Sequence, residues 1–214
     1  MKPKIGILGG LGPESSAEFY KRLILRVQES GIKSNEDYPH IIIESIPAPE
    51  AVNNEDLQMY KDAIINLERA GADFIVIVCN TAHIFINEFQ ELVKIPIIDL
   101  REEVEKYLIE REVEDIIILG SRKSIKRLFR FEKLRKRNIN DEESKRVDEL
   151  ILNYNAGVNK EVQKEELLEI VKKYSNTKIL AGCTEISMML KDSGIDYFDT
   201  FYILLNATFS KWDC

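Results

Sequence analysis

Two of the three cysteines in this chain occupy the same kind of position. Cys79 ends an apolar run that begins at Phe74, and Cys183 ends a second apolar run half a chain later. Polar residues come next, namely Asn80 and Thr81 in the first case and Thr184 and Glu185 in the second. Two thiols that face one carbon from opposite sides can remove a proton on one face and return a proton on the other. The pattern therefore favours racemisation by two bases, Cys79 and Cys183.

Such chemistry needs an activated thiol and donors for the charge that develops on the substrate. A free thiol has a pKa of about 8.5, and the N-terminus of a helix lowers it. One cysteine would act as thiolate and the other as thiol, with the roles exchanged for the opposite enantiomer. A carbon next to a carboxylate loses its proton reluctantly, so preorganised donors must hold the developing charge. The candidate donors are Asn80, Thr81, Ser121, Thr184 and the amides of the loop that contains Gly10 and Gly12.

Other interpretations of these residues stay open. A cysteine at the end of an apolar strand is more often a small buried apolar residue than a catalyst. His83, four residues after Cys79, could tune that thiol or make a structural hydrogen bond. Glu185 could hydrogen-bond near Cys183 or merely begin a helix, where Glu is favoured. The terminal Cys214 is interpreted as incidental.

The chain offers little that would hold a cofactor. The segment "GGLGP" (residues 9–13) lacks the spacing of a phosphate-binding loop or of a dinucleotide fingerprint. The chain has two His, and they lie far apart in sequence, which argues against a metal site. We therefore predict no metal and no cofactor.

Composition limits the class of protein. A chain of 214 residues with 44% hydrophobic content can bury a real core, and a net charge of −7 argues against a general nucleic-acid surface. No apolar stretch approaches the roughly 20 residues of a membrane span. Glycines interrupt "MKPKIGILGG" too early for a signal peptide. Three cysteines do not suggest a disulfide scaffold, so we expect a cytoplasmic protein with reduced thiols and no nucleic-acid or membrane partner.

Apolar runs and helical periodicity alternate along the first half of the chain. Four runs, at residues 4–8, 40–45, 73–79 and 95–100, predict strands, and the spacing of apolar residues between them predicts helices. This alternation predicts a parallel sheet covered by helices on both faces. Near the end, "FDTFYILLNATF" predicts a short strand end and a final helix.

The second half repeats this plan. "EDIIILGSRKSIKRLF" matches "PKIGILGGLGPESSAEF" in giving a strand, a Gly-containing loop and a helix. The offset between these two loops nearly equals the offset between Cys79 and Cys183. Ligands of open parallel sheets bind beyond the carboxyl ends of the strands, where all four segments are predicted to lie.

We therefore predict an α/β fold of two similar domains, each with a parallel sheet flanked by helices. The first domain is predicted to cover residues 1–98 and 199–214, and the second residues 99–198. A pseudo-two-fold axis would relate the domains, and the active site would lie in the cleft between them, with one cysteine on each side.

Three segments together carry a family resemblance. "IGILGGLGPESSAEFY", "VCNTAH" and "AGCTEIS" resemble the signature segments of the aspartate/glutamate racemase family, and the resemblance extends over nearly the whole chain. It implies a cofactor-independent amino-acid racemase without pyridoxal phosphate, a homodimer, and Cys79 and Cys183 as the acid/base pair. The side chains that it implies for the substrate α-carboxylate are Asn80, Thr81, Thr184 and Ser124, the last where the family usually has Thr.

The chain departs from the family where the substrate side chain would be held. Aspartate racemases of the family often carry an Arg in the segment that matches "SIPAPEAVNN" (residues 45–54), and this segment has none. Arg127 and Arg130 stand where the family usually has a small residue and a Tyr, and Asn155 where some members have Lys. We predict that Arg127 or Arg130, on one side of a helix, anchors a substrate carboxylate.

A basic run covers residues 122–137, with nine Lys or Arg and one acidic residue, Glu132. One interpretation is a solvated helix face paired with acids such as Glu142 and Glu143. A second is that its first turn draws in an anionic substrate. A third is a non-enzymatic module that binds anions or nucleic acid.

The sequence thus predicts a racemase for a small amino acid or dicarboxylate, with aspartate first and glutamate second. Related enzymes that keep both cysteines stay as alternatives. They are hydantoin racemases and maleate isomerases, in which one cysteine attacks the substrate instead of removing a proton.

Overall fold

The computed structural model describes residues 2–47, 49 and 57–214. They divide into two compact units, which are Met1–Asp99 with Leu204–Cys214, and Leu100–Ile203. Most of "SIPAPEAVNN", the segment in which an Arg was sought, lies outside the described residues.

The first unit is built on a three-stranded parallel sheet whose centre is β1. Its strands, in the spatial order β2-β1-β3, are β1 (Ile5–Gly9), β2 (Ile41–Ser45) and β3 (Phe74–Ile77). Its helices are α1 (Pro13–Glu29), α2 (Leu57–Arg69) and α3 (Ile86–Gln90), with 3-10 helices at Asn35–Asp37 and Thr81–Phe85. Every residue of β1 and β3 is buried, as expected of the continuous apolar runs that are typical of parallel strands covered on both faces.

The second unit repeats this plan with a four-stranded parallel sheet. Its strands, in the order β5-β4-β6-β7, are β4 (Asp115–Leu119), β5 (Arg135–Arg137), β6 (Ile179–Ala181) and β7 (Phe198–Asp199). Its helices are α4 (Leu100–Ile109), α5 (Arg122–Arg127), α6 (Asp141–Asn155), α7 (Lys160–Lys172) and α8 (Thr184–Leu190). The last helix, α9 (Thr200–Asp213), begins in the second unit and ends in the first. The prediction of two parallel sheets flanked by helices is confirmed.

The apolar run at residues 95–100 does not form the predicted strand. One bridge, Ile75 with Ile97, is its only ladder contact among the described residues. Pro96 has no N–H to donate, and α4 already begins at Leu100, so too few residues remain for a ladder. Ile97 and Ile98 are nevertheless buried, which explains why the run is apolar.

The basic run does not form one helix either. Helix α5 ends at Arg127, and the next two residues, Leu128 and Phe129, are both buried. The chain then turns and enters β5, which pairs with β4. Lys136 of β5 donates its Nζ to the carbonyl oxygens of Ile125 (2.7 Å) and Phe129 (3.3 Å), so it fixes the end of α5. Burial, and then the nearby charge of Arg130, lower the pKa of Lys136.

The acids that pair with this run differ from the predicted ones. Arg122 bonds Asp148 at 2.6 Å, and Arg135 bonds Asp115 at 2.9 Å. Glu143 instead accepts from Lys173 at 2.8 Å and from the hydroxyl of Tyr174, and these two bonds hold the pKa of Glu143 below its ordinary value. The run is therefore tied into its own unit through α6 and β4.

Candidate active site

The carboxyl edge of the first sheet brings the Gly-rich loop and Cys79 to neighbouring strands. β1 and β3 are parallel partners, with Leu8 in register with Ile77. The ladder continues one step further, since the N–H of Val78 donates to the carbonyl of Leu8 at 3.0 Å. Cys79 therefore leaves the sheet beside the loop that comes after β1.

The backbone conformation and surroundings of position 10 in that loop require glycine. Gly10 has a φ of +85°, and a Cβ there would lie 2.3 Å from the carbonyl oxygen of Ile46. Its N–H donates to Ser16 Oγ at 2.9 Å, and Ser16 Oγ donates to the carbonyl of Gly12 at 3.2 Å. The amide of Gly10, a predicted substrate donor, is thus occupied by Ser16 in this arrangement, and Gly12 directly precedes α1.

His83 contacts the backbone of Cys79. Its ring Nδ1 lies 2.8 Å from the carbonyl oxygen of Cys79, and the imidazole is fully buried. Of the two interpretations of His83, the structural hydrogen bond is the one that the structure contains. Thr81 opens the 3-10 helix, the side chain of Asn80 is buried, and Cys79 is half-buried.

The second sheet repeats this arrangement. β4 and β6 are parallel partners, with Leu119 in register with Ala181, and the N–H of Gly182 donates to the carbonyl of Leu119 at 2.7 Å. Cys183 therefore leaves the sheet beside the loop that comes after β4. Two side chains of that loop bond each other, since Ser121 Oγ lies 2.8 Å from Ser124 Oγ.

Ser121 and Ser124 stabilise the start of α5. Ser121 is its N-cap, and its Oγ accepts the backbone N–H of Ser124 at 3.2 Å. Ser124 is fully buried, so its hydroxyl serves the loop in this arrangement.

Cys183 has a carboxylate partner. Its Sγ donates to Oε2 of Glu185 at 2.8 Å, and the hydroxyl of Thr184 donates to the same oxygen at 3.0 Å. All three residues are buried. Cys183 is the N-cap of α8, so Glu185 also lies in the first turn of that helix. Both interpretations of Glu185 therefore hold.

A second layer of polar contacts, which the sequence did not predict, supports Cys183. Ser187 Oγ lies 3.3 Å from the carbonyl oxygen of Cys183 and donates to Asp199 Oδ1 at 2.5 Å. Thr200 Oγ1 donates to the carbonyl of Ala181 at 2.7 Å. Asp199 is the last residue of β7. A carboxylate at the end of a predicted short strand was the signal in the sequence that could have indicated this contact.

The two arginines predicted to share a helix face do not do so. Arg127 is the last residue of α5, and Arg130 lies beyond the helix. Both side chains are exposed. The pairing at helical spacing is therefore wrong, because α5 is shorter than the basic run.

The described residues contain no group of three or more His, Cys, Asp or Glu that could hold a metal ion. Nor do they include a helix long and apolar enough to cross a membrane.

The fold, the cysteine motifs and the placement of the loops agree with one protein family. Residues 8–208 match the family model of Asp/Glu/hydantoin racemases, and the chain belongs to this family. The family resemblance is thereby confirmed, as is the predicted class of enzyme, since racemases are isomerases.

Individual relatives agree with this assignment. The chain is 28% identical to the broad specificity amino-acid racemase RacX of Bacillus subtilis (strain 168), over 97% of each chain. It is 28% identical to an aspartate racemase homologue from Pyrococcus horikoshii OT3, with 100% of both chains covered and a TM-score of 0.79. An aspartate racemase from Picrophilus torridus shares the fold, with a TM-score of 0.82 at 20% identity over 98% of this chain and 94% of that one.

Proposed function

We propose that this protein is a cofactor-independent amino-acid racemase in which Cys79 and Cys183 act on opposite faces of one substrate α-carbon. One observation carries the proposal: each unit places a cysteine two residues after the end of a buried strand, beside the small-residue loop that extends from the neighbouring parallel strand. A two-base reaction needs one acid/base group for each face of the α-carbon, and the duplicated arrangement supplies one thiol from each unit. The two predicted domains and a homodimer remain part of this proposal.

The reaction moves one proton in and one proton out. The thiolate of one cysteine takes the α-proton, and the electron pair of the broken C–H bond passes to the substrate carboxylate. The thiol of the other cysteine then gives its proton to the opposite face and becomes the thiolate. Asn80, Thr81, Ser121 and Thr184 are the proposed donors to that carboxylate. Thr184 would have to turn its hydroxyl away from Glu185 to donate through it.

Aspartate is the first proposed substrate, and glutamate the second. The alternative to an acidic substrate is a wider set of amino acids, which is favoured by the relative whose name is broad specificity amino-acid racemase. Maleate isomerisation, hydantoin racemisation and nucleic-acid binding are the outcomes that would replace the proposal.

Chiral analysis of single enantiomers after incubation with the protein tests the function. Aspartate, glutamate and a set of neutral amino acids are supplied separately, without added cofactor, after dialysis against a chelator. We expect racemisation of at least one of them, and that alkylation of the thiols stops it. Full loss after chelator treatment alone, or salt-dependent nucleic-acid binding without any racemisation, would overturn the proposal.

Arg127→Gln is expected to raise KM for aspartate by about twofold to fivefold, which is about 0.4 to 1 kcal/mol. The side chain is exposed, so its attraction for a substrate carboxylate has the strength of an exposed ion pair. Arg130→Gln should have a smaller effect, because Arg130 lies beyond α5. Steady-state kinetics with aspartate and alanine measure the difference.

Lys126→Gln is the matched control, because Lys126 is an exposed cation of the same helix. If Arg127→Gln and Lys126→Gln leave KM for aspartate equally unchanged, Arg127 does not anchor the substrate. A neutral amino acid would then become the first candidate.

A further inference from the structure

The two cysteines have different neighbours on their C-terminal side. The position two residues after Cys183 is Glu185, whereas the position two residues after Cys79 is Thr81. The strand pairs that carry the two cysteines are alike, since β1 with β3 and β4 with β6 are both parallel neighbours. The duplicated site is therefore chemically unequal, with an acidic side chain built into the second copy of the motif alone.

The contacts of Glu185 show what its carboxylate does. One oxygen, Oε2, accepts both the thiol of Cys183 and the hydroxyl of Thr184. Only 6% of Glu185 is exposed, so solvent screens its charge weakly. A carboxylate in hydrogen-bond contact with a thiol favours the protonated thiol, because a thiolate at the same place would be a second negative charge beside the first.

We propose that Glu185 is a positioning residue that holds the proton on Cys183, so that the resting enzyme carries Cys183 as the thiol and Cys79 as the base. This inference rests on the proposed function for its catalytic meaning, but its chemistry concerns the Cys183–Glu185 pair alone. In the first half of the cycle, Cys79 takes the α-proton and the bond electrons remain on the substrate. Cys183 then gives its proton to the opposite face and becomes a thiolate beside Glu185.

This asymmetry has a kinetic consequence. Enantiomers have equal free energies in water, so kcat/KM must be the same in both directions, whatever the protein does. An unequal resting state can therefore appear only in kcat and KM separately. Removing the charge of Glu185 should change kcat and KM by unequal factors for the two enantiomers while the two values of kcat/KM stay equal.

The direct test measures thiol ionisation and not turnover. Wild-type protein and Glu185→Gln are alkylated with iodoacetamide, which is neutral, across a range of pH, and peptide mass spectrometry reports each cysteine separately. Gln keeps an oxygen that can accept the thiol but removes the charge. The exposed Cys214 is an internal reference in every sample. Glu161→Gln is the control, because its side chain is 80% exposed in the same unit.

In the wild type, we expect the pH midpoint for alkylation of Cys183 to lie above those of Cys79 and Cys214. In Glu185→Gln the midpoint of Cys183 should fall by about one pH unit or more, with those of Cys79 and Cys214 unchanged. Glu185→Asp, which keeps the charge, should stay closer to the wild type, and Glu161→Gln should match it.

Two results would overturn the inference. One is an unchanged midpoint for Cys183 in Glu185→Gln, and the other is a wild-type midpoint for Cys183 below that of Cys79. If Glu185→Gln does not fold, Glu185→Asp and the wild-type order of midpoints decide. Failure of the racemase proposal would show instead as an absence of racemisation, or as racemisation that survives the loss of either cysteine. The alkylation result would stay readable on its own.

Discussion

Replacing Cys79 or Cys183 by Ser is expected to lower kcat for racemisation by about a thousandfold or more. A serine hydroxyl is far too weak a base at neutral pH to take an α-proton, and a two-base reaction needs both groups. Either loss therefore stops the exchange of enantiomers. The fold should survive, because Ser is close to Cys in size. Kinetics with the preferred substrate and circular dichroism measure the two effects.

Cys214→Ser is the matched control for both variants, because it makes the same chemical change at an exposed cysteine. It should leave kcat unchanged. Each catalytic variant should retain the ability to assist elimination of a leaving group from the one face that its remaining cysteine serves. Near wild-type racemisation by either Cys79→Ser or Cys183→Ser would show that the two-base scheme is wrong.

Gly10→Ala is expected to lower the free energy of unfolding by about 3 kcal/mol. The residue has a φ of +85°, and the new Cβ would lie 2.3 Å from the carbonyl oxygen and 2.6 Å from the nitrogen of Ile46. These are backbone atoms just beyond β2, so no flexible side chain can yield. Urea unfolding measures the loss. The loop beside Cys79 would shift as well, so activity should fall with stability.

Gly31→Ala separates backbone strain from steric overlap. Gly31 has almost the same φ, +86°, but a Cβ there meets nothing within 4 Å. It should cost about 1 kcal/mol, which is the strain alone. Equal losses for the two variants would contradict the steric explanation of Gly10.

The buried strands β1 and β3 could be predicted from sequence because each is a short run in which every residue is apolar. Such runs at Ile5–Gly9 and Phe74–Ile77 have few other uses in a folded chain, since the strands between two layers of helices are buried on both faces. The same signal failed at residues 95–100. Burial made that segment apolar, but Pro96 and the early start of α4 prevented a ladder.

The basic run failed for a different reason. Charge spacing predicted one helix, but α5 ends at Arg127, and Lys136 lies in β5, where its Nζ bonds two carbonyl groups. Charged residues are poor markers of helix length because they occur both on the exposed face of a helix and in an edge strand.

Within the candidate site, residue types could be predicted but not their partners. The spacing of Cys183 and Glu185 allowed a hydrogen bond or a helix start, and the extended backbone at Cys183 produces both. The bond from Gly10 to Ser16 depends on the loop closing over the first turn of α1, which no local pattern in the sequence specifies. Asp199 reaches Ser187 because β7 lies beside β6, a pairing between distant segments.

Deuterium incorporation from heavy water tests the two-base reaction most directly. One enantiomer of aspartate, or of the preferred amino acid, is incubated with the protein in heavy water, and both enantiomers are analysed at low conversion. We expect deuterium at the α-carbon of the newly formed enantiomer, because its proton comes from the second cysteine, which exchanges with solvent. The recovered starting enantiomer should still carry protium. Equal early labelling of both enantiomers would contradict two bases, since a single base returns its proton to either face.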